Sequence, residues 1–169
     1  FMLSDLHFNY IIYTILIAAS SVSTLMSMVY WGKNIDQFGN KNVLAVCGFL
    51  VAVIPLLWLV SGSPYYLVFV QVFSGFFWAG FNLASFNILF DTVKPSKRSR
   101  CVAYQNILVG FSIFFGAILG GFLTKVIPNP EFFISNIEVI FVISAVLRFL
   151  ASLILLPKIK ETKSVTDVE

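Results

Sequence analysis

The sequence predicts an all-α, polytopic integral membrane bundle of five transmembrane helices, and three observations carry that prediction. Of 169 residues, 59% are hydrophobic and only 11% are charged, whereas a water-soluble domain carries about 25% charged residues to wet its surface. Four stretches, 8–32, 42–90, 102–124 and 139–156, hold almost no ionisable side chain. Roughly 20 apolar residues at about 1.5 Å each cross a hydrocarbon core, so every stretch can span and the second can span twice. The runs also lack the alternation of an outer-membrane barrel, and a lipid-exposed strand would leave backbone amides without partners, which leaves helices. Disorder, a disulfide-stapled secreted domain and nucleic-acid binding are excluded by the same composition. The net charge of +3 comes from Lys and Arg in short loops between apolar runs, not from a basic face in water.

The first helix is expected over 9–31. The residues before it lack a basic region, and the run itself is too long for a signal-peptide core, so it reads as a span. The chain opens on Phe1 with no polar lead-in, which suggests a piece of something longer. Within 42–90 the only turn chemistry is Ser61, Gly62, Ser63 and Pro64, where Gly tolerates unusual backbone angles and Pro suits a first helical turn. This divides the run into helices over 43–60 and 65–90. The remaining runs predict helices over 102–126 and 136–156, followed by a polar tail, 157–169.

Orientation follows from the cations. Lys33 and Lys41 fall in the first loop, Lys94, Lys97, Arg98 and Arg100 in the third, and Lys158, Lys160 and Lys163 in the tail. The other two loops, 61–64 and 127–131, carry none. By the positive-inside rule the amino terminus lies outside and the tail is cytoplasmic, as in a multi-pass protein of an inner cell membrane.

Polar groups are costly in hydrocarbon, so their helical phase marks the face that avoids lipid. On the first helix Tyr10, Thr14, Ser21, Thr24 and Met28 share one side, at about 100° per residue. On the third, Gln71, Gly75, Trp78, Asn82 and Ser85 do so, with Asn87 opposite. The fourth carries two adjacent stripes, Asn106, Gly110, Ala117 and Gly121 beside Gln105, Ser112, Gly116 and Gly120. Two readings stay open. In one these residues are packing glue, with Gly110, Gly116, Gly120 and Gly121 allowing close helix approach. In the other, Tyr10, Thr14, Gln71, Asn82, Gln105 and Asn106 line a wet substrate pathway between helices one, three and four. The second and fifth helices, rich in Val, Leu, Ile and Phe, read as outer, lipid-facing members.

Glu138 and Arg148 are the charges inside the last span. Glu138 sits near its outer end, and the stem of Arg148 could mostly cover the distance to the cytoplasmic end, so both read as structural. His7 has no second ligand at metal-binding spacing, and Cys47 and Cys101 read as packing residues. No cofactor is expected, and the acid and His clusters of a membrane enzyme are missing from the spans.

The first loop reads Gly32-Lys33-Asn34-Ile35-Asp36-Gln37-Phe38-Gly39-Asn40-Lys41. It resembles the loop signature of the major facilitator superfamily, G-x-x-x-D-[RK]-x-G-[RK]. Gly32, Asp36 and Gly39 match; Gln37 and Asn40 replace the usual cations, and Lys41 supplies one nearby. Residues 116–121, Gly-Ala-Ile-Leu-Gly-Gly, are similar to that family's fifth-helix G-P-x-x-G-G, with Ala117 in place of proline. Asn82, Asn87, Asp91, Pro95, Arg98, Tyr104 and Asn106 resemble the pattern between these marks, and 147–151 resembles the closing helix.

That signature normally follows the second helix of a six-helix half, so the resemblance implies helices eight to twelve of twelve, a half lacking its first helix. It also implies a secondary transporter that moves a small solute by alternating access, together with a missing amino-terminal half in the lipid bilayer. Its cavity would be lined by helices corresponding to the first, third and fourth here. A gating role would fall to the loop: Asp36 with Asp91, Arg98, Arg100 and Lys41 would hold the cytoplasmic side closed through charge-assisted contacts. The rival is a non-transporting membrane scaffold whose small-residue stripes serve association alone.

Overall fold

Long apolar runs with no interior breakers except Pro55 fold as long helices. The structure, a computed structural model, describes residues 2, 5–126 and 136–161. It contains α1 (Tyr10–Phe38), α2 (Asn40–Leu57), α3 (Pro64–Thr92), α4 (Arg98–Val126) and α5 (Asn136–Leu155), with 3-10 turns at Pro95–Lys97 and Leu156–Lys158. All five helices are long and apolar enough to cross a membrane. Phe1, the loop over 127–131 and the tail beyond Glu161, including Lys163, lie outside the described residues.

Several helices outrun the spans read from hydropathy. α1 has 29 residues, about 43 Å at 1.5 Å per residue, against a hydrocarbon core of about 30 Å. The stretch from Gly32 to Phe38, expected as loop, continues the helix. A helix does not have to end where lipid ends, so the charges of Lys33 and Asp36 do not interrupt it. What stops α1 is Gly39, at φ 84°, whose N–H returns to the Ile35 carbonyl at 3.0 Å. A side chain at that φ would be strained, so the break requires glycine. α4 likewise begins at Arg98, earlier than expected, once the turn at Pro95 has reversed the chain.

α1 packs along α3, α3 against α2, and α2 against α5, while α4 meets α3 and α5 only sparsely. The tightest core lies at the end where α1 stops and α2 starts. It joins Trp31 and Ile35 of α1, Val43, Leu44 and Cys47 of α2, Ala79 and Ala84 of α3, and Leu156. This corrects one expectation. α2 is central, not outer: half of its most apolar window is buried, against none of that of α4. An apolar surface serves equally well against lipid or against another helix, so hydropathy does not separate the two. α4, expected as a pathway helix, buries no residue.

Candidate functional site

The polar stripe of α1 divides in two. Its middle, at Thr24 with the neighbouring Ser23, is spent on α3. Ser23 Oγ donates to the Val72 carbonyl at 2.6 Å, and Thr24 Oγ1 reaches the Ser20 and Gly75 carbonyls at 2.9 and 3.2 Å. These contacts require close approach, which Gly75 permits: a Cβ there would land on the Ser20 carbonyl oxygen and lie 3.0 Å from Ser23 Cβ. Gln71, one turn earlier on α3, is buried. The remainder of the stripe stays open. Tyr10 is 75% exposed, Thr14 and Ser21 return their hydroxyls to the Tyr10 and Ile17 carbonyls of their own helix, and Tyr10 and Thr14 edge a shallow groove of about 350 Å³ on α1.

A second junction, towards Gly39, was not singled out by sequence. Trp31 Nε1 donates to the Phe76 carbonyl at 2.7 Å, and its indole lies across Gly80, where a Cβ would come within 2.7 Å of the ring and 2.6 Å of Cys47 Sγ. Cys47 is therefore a packing residue of the α1–α2–α3 junction. The sequence signal for Gly80 was a small residue five positions after Gly75, too irregular to stand out.

The six pathway candidates fall in separate places. Gln71 is buried on α3, while Tyr10 and Thr14 edge the α1 groove. Gln105 is half-buried in a groove of about 520 Å³ between α3 and α4, shared with Ser85, Thr92, Cys101 and Tyr104. Asn82 and Asn106 are exposed. The glycines expected as helix-packing residues behave differently from Gly75: at Gly110, Gly116, Gly120 and Gly121 a Cβ would meet nothing within 4 Å. The surface they would pack against is not supplied by the described residues.

The loop candidates gather more closely. Gly39 is buried at the α1–α2 break, and next to it Asn40, 1% exposed, donates from Nδ2 to Asp91 Oδ2 at 3.1 Å. Asn40 occupies the position of the second cation of the loop signature that this segment resembles, so here a neutral amide meets the α3 carboxylate. The Lys41 backbone N–H, one of the orphan donors of the first turn of α2, donates to Glu161 Oε2 at 2.8 Å. A carboxylate from the tail thus caps a helix whose own cap residue, Gly39, offers no side chain. Arg98 is directed to the end of α3: its Nε donates to the Phe90 and Val93 carbonyls at 3.1 and 3.3 Å, and its guanidinium lies 5.2 Å from the Phe90 ring centroid. A cation there complements the negative end of the helix dipole. Gly32 has open space around it, and Asp36 and Arg100 are exposed. Asn40 could have been found from its place in the loop signature; nothing in the sequence pointed to Glu161.

Among the described residues, no group of three or more His, Cys, Asp or Glu side chains is placed to hold a metal ion. Residues 1–168 match the family model described as Major Facilitator Superfamily. No curated protein matches the chain, and no solved structure does.

Proposed function

The chain belongs to the Major Facilitator Superfamily, a family of transporters, and from that premise we propose that it moves a small solute by alternating access, working with an amino-terminal half that packs on α1 and α4. One observation carries this reading. Thr14, Asn82 and Asn106 stay exposed on helices that cross a bilayer, and α4 buries none of its residues. Side-chain amides facing acyl chains are costly, so a wet path and a partner surface are the economical surroundings for Asn82 and Asn106, with Thr14 on the same open surface. The partner half then covers the open glycines of α4, and the two halves rock around a site near mid-membrane.

The groups that would face the solute, Asn82, Gln105, Asn106, Thr14 and Tyr10, are neutral donors and acceptors. They suit a polar neutral or amphiphilic solute. The Asn40–Asp91 contact and the Glu161 cap tie the α1–α2 break to α3 and to the tail, which favours the gating reading of Gly32, Asp36, Gly39, Lys41, Asp91, Arg98 and Arg100 on the cytoplasmic side of an inner membrane. Asp36→Asn in the complete transporter should slow uptake while leaving membrane insertion intact; unchanged kinetics would remove Asp36 from the gate.

The scaffold reading draws on the α1–α3 interface, where Ser23 and Thr24 serve helix association. Single cysteines at Thr14, Asn82 and Asn106, probed in intact membranes with a membrane-impermeant maleimide, separate the two readings. Labelling at these positions, protected by transported solute, supports the pathway. Complete inertness at all three favours the scaffold.

A further inference from the structure

Pro55 lies inside α2. A proline has no N–H, so the carbonyl four residues earlier, that of Val51, loses its partner within the helix. In hydrocarbon no water replaces the missing donor, and a neighbouring helix must supply one. The donor comes from α5: Arg148 Nη1 lies 3.4 Å from the Val51 carbonyl oxygen. The same guanidinium sits over an indole of α3, its carbon 5.7 Å from the Trp78 ring centroid. Trp78 is the central residue of α3 (Pro64–Thr92), so the guanidinium, the Val51 carbonyl and the indole meet near the middle of that helix.

This placement corrects the expectation that Arg148 reaches for the cytoplasmic end of its helix. The side chain turns sideways across α2 instead. An intramembrane cation ordinarily marks a substrate or ion pathway. Here both observed partners, a carbonyl oxygen and an aromatic face, belong to packed helices, and both attract a cation without neutralising it.

We propose that Arg148 is the surrogate donor for the hydrogen bond that Pro55 removes, and that this bond, with the Trp78 contact, pins α5 to α2 and α3. The proposal does not depend on the transport reading. Its signature is conditional: Arg148 matters because residue 55 is proline. Restoring an N–H with Pro55→Ala hands the Val51 carbonyl back to its own helix and leaves the guanidinium only its Trp78 contact.

The test compares the full chain in detergent as parent, Arg148→Met, Pro55→Ala and the double variant. Arg148→Met alone should lower the melting temperature by about 5 °C, but by less than about 2 °C when added to Pro55→Ala. Equal losses in the two backgrounds overturn the proposal. Should Arg148→Met alone fail to accumulate, recovery in the double variant supports the proposal and failure of both overturns it. A second readout is the amide-I band of an isotope-labelled Val51 carbonyl. It should rise in frequency in Arg148→Met and remain at the parent position in the double variant; an unmoved band in Arg148→Met also overturns the assignment.

Discussion

Gly75→Ala should be the most damaging one-carbon change in the bundle, and the structure gives its size. The new methyl would land on the Ser20 carbonyl oxygen and approach the Ser20 carbonyl carbon and Ser23 Cβ at 3.1 and 3.0 Å. Two of these atoms are backbone, so no rotamer change relieves them. Restoring ordinary contact at about 3.5 Å requires α1 and α3 to part by on the order of 1 Å. That movement stretches the Ser23–Val72 and Thr24–Gly75 bonds, now 2.6 and 3.2 Å, to or beyond hydrogen-bonding range. Overpacking costs about 1–3 kcal/mol and each of the two interhelical bonds about 0.6–2 kcal/mol, or about 2–7 kcal/mol together. At about 2–4 °C per kcal/mol, the midpoint of thermal unfolding in detergent, followed by tryptophan fluorescence, should fall by roughly 4–28 °C. Gly116→Ala and Gly120→Ala are the controls, because nothing lies within 4 Å of a Cβ at either position; they should leave the same midpoint in place. A Gly75→Ala midpoint equal to that of the parent, or a Gly116→Ala loss as large as that of Gly75→Ala, would refute the packing reasoning.

Three further outcomes follow from the junctions around Gly39 and Gly80. Trp31→Phe keeps an aromatic ring in the core but deletes the Nε1 bond to the Phe76 carbonyl, so stability in the same assay should drop by about 1 kcal/mol. Asn40→Ala removes a buried donor to a carboxylate and should cost about 1.5–3 kcal/mol; Asn40→Asp, which sets a second carboxylate beside Asp91, should be worse than Ala, and equal losses would count against the Asn40–Asp91 contact. Glu161→Gln weakens the cap on α2, and amide exchange at Lys41 should accelerate while exchange in the middle of α2 remains at the parent rate.

The five helices were legible because length and apolarity suffice to specify a span. Their ends were less so, since charge marks the edge of the lipid and not the edge of the helix; α1 continues through Lys33 and Asp36 to the one glycine whose φ of 84° forbids continuation. Packing order was least legible. Val, Leu and Phe on α2 satisfy lipid and protein alike, so its central position emerged only from the contacts it makes with α3 and α5. The polar stripe of α1 was visible by phase, but phase does not tell an interhelical bond from a wet wall. Ser23, absent from the stripe as read, makes the shortest bond across to α3. Arg148 was misplaced for a related reason: its target is a carbonyl that Pro55 deprives of its helical partner, on the buried part of another helix, and only the fold brings the two together.

The contrast among the glycines bears most directly on what surrounds this bundle. Gly75 and Gly80 are each explained by an atom that would occupy the place of their missing Cβ. Gly110, Gly116, Gly120 and Gly121 have no such atom near them, although each costs about 1 kcal/mol relative to alanine in a helix interior. A helix facing only acyl chains gains nothing that offsets this, because lipid conforms to any side chain. A neighbouring helix does, by bringing its backbone close to the glycine face. Four open glycines on a helix with no buried residue, on the helix that also carries the amides of Gln105 and Asn106, therefore support the proposed partner surface over α4, with the polar end of that stripe at its wet margin.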